Sequence, residues 1–232
     1  MEKQHNRGQD GAGVASIKFD VAPGKRYIDR ARSNSSSPIR DVFEDVYAGV
    51  RKYEDKPELL NDPTWAKQNL PFAGELYLGH LRYGTFGNNS IDYVHPVMRE
   101  NNWKSRTLVL AGNFNMTNVD ELFQRLVNLG QHPKDYSDTV TVLEKIGHFL
   151  DEENQQLFRQ YKNDGHSNYE ISSLIANNLS IRKVLAATLT VVMPWRVWLG
   201  MAMLLFTAIH GEYALLFTMQ TMRLLWLHRS VR

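Results

Sequence analysis

Cysteine is absent from the 232 residues of the sequence. Without a thiol, the chain has no disulfide framework, no thiolate metal site and no cysteine nucleophile. A strong charge of either sign is lacking as well, because 27 Lys and Arg residues stand against 25 Asp and Glu residues, for a formal net charge of +2. The basic residues are scattered rather than clustered, so the composition does not favour a nucleic-acid partner.

A long apolar run is missing from the first residues. Residues 1–11 are polar and charged, which predicts no secretory signal peptide and makes a cytoplasmic setting the default expectation. Apolar residues make up 43% of the chain, which is enough for one well-formed core.

The composition changes sharply after Val184. The sequence before this point is typical of a mixed α/β protein. From Leu185 to Arg232 there is no Asp or Lys, Glu212 is the only acid, and five of the eight methionines occur. We therefore predict two segments, a domain over residues 1–185 and an apolar tail over residues 186–232.

Hydrophobic periodicity predicts the elements of the first segment. Four apolar or alternating runs are typical of strands, namely Gly13–Phe19, Tyr27–Arg32, Glu75–Tyr83 and Thr107–Asn113. The Ser-rich loop Ser33–Pro38 is expected to cap a helix through its last residues. Further helices are predicted from Thr117 to Gly130, from Ser137 or Asp138 to Leu150, through Phe158, and from Tyr169 to Leu179. This mixture predicts the α/β class.

Four short motifs follow one another in the first segment. They read HNRGQDGAG from His5 to Gly13, GHLRYGT from Gly79 to Thr85, LAGNFNMTN from Leu110 to Asn118, and SDT from Ser137 to Thr139. In this order they resemble the signatures of class II glutamine amidotransferases, and in particular those of the amidophosphoribosyltransferases. Four motifs together are far more specific than any one of them, and the resemblance covers residues 1–185.

The resemblance implies a fold and an activity. The fold would be α/β (α+β), the four-layer αββα sandwich of the amino-terminal-nucleophile hydrolases, here incomplete. The family transfers ammonia from glutamine to phosphoribosyl pyrophosphate (PRPP), which yields phosphoribosylamine in the first step of de novo purine synthesis. Its members are homo-oligomers whose Mg²⁺ accompanies PRPP in a phosphoribosyltransferase domain. We expect that domain to be absent here, and with it any cofactor or metal.

The same resemblance assigns a glutamine site. Arg82 would pair with the α-carboxylate of glutamine, a task suited to a bidentate guanidinium. Asp138 would bind the α-ammonium group through its opposite charge, while Tyr83 and Thr85 would line the pocket. Glutamine is therefore the expected small-molecule ligand.

The resemblance also assigns the donors that stabilise the tetrahedral oxyanion. They would be the side-chain amide of Asn113 and the backbone N–H of Phe114. Relatives have glycine where Phe114 stands, so the second donor departs from the family pattern. Four residues of the first motif are expected to be structural: Arg7, Gly8, Asp10 and Gly13.

The nucleophile of the family is an amino-terminal cysteine whose own α-amine acts as the base. In the relatives it precedes the first motif by a strand and a helix, whereas Met1 stands only a few residues before His5. Since the sequence has no cysteine, we predict a chain that is truncated at its front and unable to hydrolyse glutamine.

The tail is interpreted as the family's own continuation translated out of frame, with the shift between Leu185 and Leu189. Codons that spell Met193–Met203 also spell YAMAGLVGYGD in an adjacent frame, which resembles a family segment. The fixed bases of the Met and Trp codons leave little freedom for such a match.

Two other functions stay open. One is a glutamine-binding or subunit-interaction module without catalysis. The other is a small membrane-associated protein, although the apolar run Val197–Ile209 is shorter than the roughly 18 to 20 residues that span a bilayer, so a membrane partner is not favoured. His5, His80 and His95 show no paired ligand spacing, and we expect hydrogen-bonded structural histidines rather than metal ligands.

Overall fold

The computed structural model describes residues 1, 10–84, 90–113, 119–192, 202–207, 214–218 and 225–226, and the side chains of these residues up to residue 188 except that of Asn113. The chain divides into two compact units, Met1–Val97 and Met98–Arg232. The division of the sequence into residues 1–185 and 186–232 stays a prediction.

A three-stranded antiparallel sheet with the order β2-β1-β3 forms the centre of the first unit. Its strands are β1 (Gly11–Ile17), β2 (Ile28–Ser33) and β3 (Leu76–Arg82). All of β1 is buried, because it lies between the other two strands and packs against the first helix, α1 (Pro38–Arg51). The three strands predicted in this part of the sequence are confirmed, with small shifts at their ends.

The core of the first unit lies between this sheet and α1. Side chains two residues apart on a strand share one face, so Ala12 and Val14 of β1 point into the same layer. They form a cluster with further buried residues of β2, α1 and the loop before β3: Ala31, Val42 and Phe72. The small side chains of β1 leave room for the helix to approach the sheet.

Hydrogen bonds join the first turn of α1 to the serine loop, Ser33–Pro38. Ser37 takes the N-cap position as predicted, but its side chain makes no capping hydrogen bond. Instead, the carboxylate of Asp41 in the first turn accepts hydrogen bonds from the hydroxyls of Ser35 and Ser33. These two bonds lower the pKa of Asp41. The loop is therefore fixed through the first turn of the helix rather than through a cap.

Two short helices, which the periodicity did not predict, connect α1 to β3. They are α2 (Pro57–Leu60) and α3 (Pro63–Asn69). Asp62 caps α3, because its carboxylate accepts hydrogen bonds from the N–H groups of Thr64 and Trp65. Pro63 suits the first position of this helix because its fixed φ is helical and no N–H is needed there.

The second unit contains a sheet with the order β4-β5-β6-β7-β8. Its strands are β4 (Val97–Arg99), β5 (Leu108–Asn113), β6 (Ala202–Thr207), β7 (Ala214–Thr218) and β8 (Leu225–Trp226). The first four residues of β5, Leu108 to Ala111, are at most 1% exposed. The run Thr107–Asn113 was predicted to be a buried strand, and the structure confirms it.

Four helices accompany this sheet: α4 (Val119–Asn128), α5 (Asp138–Asn163), α6 (Asn168–Asn178) and α7 (Ile181–Val192). The long helix α5 packs against β5 and against the other three helices. The predicted separate helix through Phe158 is wrong, because Phe158 belongs to α5, where its ring lies 5.8 Å from that of Trp103. Thr117, the predicted start of the preceding helix, lies outside the described residues.

The backbone of the predicted tail contributes three strands to the second sheet. β6 pairs antiparallel with β5, so that Leu108 lies opposite Thr207 and Asn113 opposite Ala202, and β7 and β8 follow in turn. Among the helices that the structure describes, none is long and apolar enough to cross a membrane.

Candidate functional site

Arg82 is the last residue of β3, and its side chain is nearly fully buried at 6% exposure. The guanidinium carbon Cζ lies 5.7 Å from the centre of the Tyr93 ring, at the distance of a cation–π contact. Tyr93 ends the short 3-10 helix Ile91–Tyr93, whose N-cap Ser90 accepts a hydrogen bond from the next turn. Because burial and the ring restrict its rotamers, the guanidinium is oriented before any ligand arrives.

Asp10 lies beside the end of β3 and makes two hydrogen bonds to it. Its backbone N–H donates to the carbonyl of Arg82 at 3.1 Å, and its carboxylate Oδ2 accepts from the N–H of Gly84 at 2.7 Å. Tyr83 stands between these two bonds with 68% of its surface exposed. The structure thus brings three predicted residues, Asp10, Arg82 and Tyr83, to one corner of the sheet.

Gly13 lies in the middle of β1, where another stretch of backbone crosses the strand. A Cβ atom placed on Gly13 would lie 2.1 Å from the carbonyl oxygen of His95 and 3.0 Å from the ring of Pro96. Any side chain at this position would therefore displace the chain after Tyr93. The close approach of this backbone explains why glycine suits the position, and the assignment of Gly13 as a structural motif residue stays a prediction.

His80 and His95 lie against each other, with ring centres 4.5 Å apart. Burial lowers the pKa of His80 to about 4, so the ring is neutral at physiological pH. The Nδ1 of His80 is buried and has no hydrogen-bond partner, so the expected hydrogen bond of this histidine stays a prediction for its other ring nitrogen. Across the described side chains, no cluster of three or more His, Asp or Glu residues is arranged to hold a metal ion.

Asp138 begins α5 directly after the N-cap Ser137, whose hydroxyl oxygen accepts the N–H of Val140. The Asp138 Oδ1 accepts hydrogen bonds from the backbone N–H and the hydroxyl of Thr139, at 2.6 and 3.2 Å. Burial is the largest influence on this carboxyl and raises its pKa. A partly desolvated carboxylate binds a cation more strongly than an exposed one, because less water screens the attraction.

The remaining predicted site residues are described in part or not at all. Asn113 ends β5, and its backbone lies opposite Ala202. Its side chain lies outside the described part of the chain, as do the other predicted residues Arg7, Gly8, Thr85 and Phe114. Arg82 and Tyr83 belong to the first unit, whereas Asn113 and Asp138 belong to the second.

Sequence reasoning missed Tyr93 and Gly84. Gly84 stands inside the second motif, but nothing in a single sequence shows that its N–H meets a carboxylate from another motif. Tyr93 ends a 3-10 turn and lies eleven residues after Arg82, and no periodic pattern predicts that its ring meets the guanidinium. The general preference of arginine for aromatic faces is the one signal that could have indicated an aromatic partner for Arg82.

No protein-family model matches the chain. Two curated proteins are similar to it, both named amidophosphoribosyltransferase. The protein from Lacticaseibacillus casei is 26% identical over 143 residues, which cover 62% of this chain and 58% of that protein. The protein from Archaeoglobus fulgidus is 31% identical over 150 residues, which cover 65% of this chain and 26% of that protein.

A solved structure is similar in fold. It is glutamine PRPP amidotransferase from B. subtilis complexed with ADP and GMP, with a TM-score of 0.50 and 18% sequence identity over 93% of this chain and 32% of that one. At this identity the likeness shows the fold alone. The chain spans less than two thirds of the length of each of these three proteins. It is related to proteins named amidophosphoribosyltransferase.

Proposed function

We propose that this chain is part of the glutamine-binding unit of an amidophosphoribosyltransferase and that it holds glutamine by its two charged ends. The observation that carries the proposal is the buried Arg82, which ends β3 with its guanidinium oriented by the Tyr93 ring. The two similar curated proteins, both named for this activity, support the assignment. The four-layer αββα arrangement is part of the same proposal.

Arg82 binds the α-carboxylate of glutamine in this proposal. A guanidinium presents two parallel N–H donors that match the two oxygens of a carboxylate, and such charge-assisted pairs are about twice as strong as neutral hydrogen bonds. Lysine would supply the charge without the planar fork. The burial of the side chain reduces the rotamer entropy that is lost on binding, because the free protein already holds one orientation.

Asp138 is the residue proposed for the α-ammonium group of glutamine. Its carboxylate is desolvated enough for burial to raise its pKa, so an arriving ammonium group finds an anion that water screens poorly. Both hydrogen bonds that Thr139 donates to this carboxylate fall on Oδ1. Tyr83 and Thr85 line the pocket in this proposal.

The chemistry of amide hydrolysis needs a nucleophile as well as oxyanion donors. Asn113 and the N–H of Phe114 are the proposed donors. The 232 residues contain no thiol, so we expect this polypeptide to bind glutamine without cutting it. The transfer of ammonia to PRPP with Mg²⁺, a role in purine synthesis, a cytoplasmic setting and a homo-oligomeric assembly are proposals about the protein of which these residues are a part.

Calorimetric titration of the purified chain with L-glutamine tests the binding proposal. Saturable heat is expected at millimolar ligand. Arg82→Met should bind at least about a hundredfold more weakly, since it loses two hydrogen bonds to a charged group, each worth about 1.5 kcal/mol or more. The affinity of Arg82→Lys for glutamine should lie between those of the wild type and of Arg82→Met. Wild-type protein that gives no heat at millimolar glutamine would contradict the proposal.

Two controls separate binding from folding. Arg40→Met removes an arginine whose side chain is 72% exposed on α1, and it should leave the affinity unchanged. Thermal melts of each variant show whether the buried Arg82 is also needed for stability. An ammonia assay on the wild-type protein tests the second half of the proposal, and release well above the buffer rate would overturn it.

A further inference from the structure

We infer that Asp10 is the positioning residue of the glutamine site, because it fixes the backbone on both sides of Tyr83 and so holds Arg82 in place. The inference rests on the proposed function, since it assigns Asp10 an effect on glutamine affinity that is exerted through Arg82. Asp10 itself touches no part of the ligand in this account.

The two hydrogen bonds of Asp10 reach two different residues, one at the end of β3 and one beyond it. The bond from its N–H to the carbonyl of Arg82 (3.1 Å) lies just outside the last β1–β3 pair, Gly11 and Arg82. Any residue except proline would make this bond. The bond from the N–H of Gly84 to the carboxylate (2.7 Å) needs the side chain. It holds the chain two residues beyond the end of β3.

The backbone at Gly84 lies directly against the Asp10 side chain. A Cβ atom on Gly84 would lie 3.2 Å from the Cβ and 3.2 Å from the Oδ2 of Asp10, tighter than ordinary contact. Glycine at this position therefore lets the N–H reach the carboxylate. The second motif supplies the donor and the first motif supplies the acceptor, so the hydrogen bond joins two motifs that the sequence separates widely.

The consequence for Arg82 follows from its place at the end of a strand. Terminal ladder residues fray, since hydrogen bonds hold them on one side only. The carboxylate of Asp10 suppresses this fraying by anchoring Gly84. Without it, the backbone of Arg82 and Tyr83 would sample more conformations, and the guanidinium would lose part of its orientation against the Tyr93 ring. A binding group that is less preorganised binds its ligand more weakly.

The test compares three variants of the full chain by calorimetric titration with L-glutamine. Asp10→Ala should weaken binding about tenfold, the loss expected from one hydrogen bond to a charged group. Asp10→Asn keeps an acceptor oxygen for the Gly84 N–H and should recover most of the affinity. Asp62→Ala is the matched control, because Asp62 also accepts backbone N–H groups with an exposed carboxylate in the same unit. It should lower the melting temperature and leave the affinity unchanged.

Amide hydrogen exchange supplies a readout that does not depend on glutamine. The N–H of Gly84 should exchange faster in Asp10→Ala than in the wild type, and Asp62→Ala should leave it unchanged. Wild-type protein that fails to bind glutamine would contradict the proposed function, while exchange at Gly84 would still decide whether Asp10 fixes this segment. If the wild type binds and Asp10→Ala binds equally well, the inference is overturned and the proposed function stands.

Discussion

The ammonium group of Lys18 lies 3.6 Å from the carboxylate of Asp29, and each side chain is at most 5% exposed. Both groups also hold the loop that precedes β3. Lys18 Nζ donates to the carbonyl of Leu70 at 2.6 Å, and Asp29 Oδ2 accepts the N–H of Phe72 at 3.0 Å. Phe72 has a φ of +57°, a conformation that a bulky side chain rarely adopts. The buried pair therefore stabilises a strained turn.

Asp29→Ala should lower the free energy of unfolding by about 3–5 kcal/mol, because it leaves a buried ammonium group without its counter-charge. Chemical denaturation measures the change. Glu44→Ala is the control, since it breaks the exposed Arg40–Glu44 pair and should change stability by no more than about 1 kcal/mol. If the two substitutions lower the free energy of unfolding equally, the buried Lys18–Asp29 pair contributes no more to stability than an exposed pair does.

Gly49 lies within α1 at a point of close contact. A Cβ atom there would lie 2.4 Å from Cγ and 2.6 Å from Cδ of Pro71. In an exposed helix, Gly→Ala stabilises by about 1 kcal/mol. Here the clash should reverse the sign, and Gly49→Ala should destabilise by about 1–3 kcal/mol. The change is read from the shift of the denaturation midpoint.

The neighbouring Ala48 provides the reference for this substitution. Its side chain is exposed on the same helix, so Ala48→Gly reports helix propensity without the contact to Pro71. We expect it to destabilise by about 1 kcal/mol. If Gly49→Ala stabilises the protein by the same amount, propensity alone governs the position and the steric argument fails.

The sequence predicted those elements whose burial leaves a regular pattern. β5 was recognisable because a strand buried on both faces is a short continuous apolar run. The strand β3 was recognisable by its alternation. The length of α5 was not, because its second half is mostly polar. That half is anchored by Asn154, which is fully buried and exchanges hydrogen bonds with Ser105.

The motif resemblance supplied the residue types of the candidate site, but it did not supply their contacts. The motif resemblance selected Arg82 and Asp138, which lie at the end of a strand and at the start of a helix, where a side chain is well placed to meet a ligand. It did not predict the partners that orient them. The hydrogen bond between Gly84 and Asp10 joins residues 74 positions apart, and Arg82 and Tyr93 belong to different elements, so both contacts depend on the tertiary fold.

Asp138 should lower the stability of the protein while it raises the affinity for glutamine. Burial raises its pKa, so the folded chain holds the proton more tightly than the unfolded chain does, and ionisation at neutral pH opposes folding. Asp138→Asn removes this opposition and should be at least as stable as the wild type at pH 7. Its affinity for glutamine should fall by at least about tenfold, because the ammonium group loses its counter-charge. Denaturation and calorimetry measure the two effects.

The control for this variant is Asp120→Asn. Asp120 is an exposed carboxylate in the same unit that accepts a hydrogen bond from the Tyr136 hydroxyl at 2.8 Å. Its substitution should leave glutamine affinity unchanged. A variant at Asp138 that is clearly less stable and binds glutamine as well as the wild type would contradict both parts of the prediction.

His80 should make the stability of the protein depend on pH. Its pKa falls from 6.5 to about 4 in the folded chain, because burial disfavours the imidazolium. Between these values the unfolded chain binds the proton and the folded chain does not, so the free energy of unfolding decreases as the pH is lowered from about 6.5 to about 4. Each pKa unit corresponds to about 1.4 kcal/mol, which sets the full effect at about 3 kcal/mol.

Denaturation at a series of pH values, in the wild type and in His80→Gln, measures this contribution. The difference in free energy of unfolding between the two proteins should shrink or change sign as the pH falls through this window, because glutamine does not titrate. Substitution of the exposed His132 by Gln controls for the loss of a histidine as such. If the wild type and His80→Gln keep a constant difference from pH 7 to pH 4, the buried neutral ring at His80 does not contribute to the acid sensitivity of the fold.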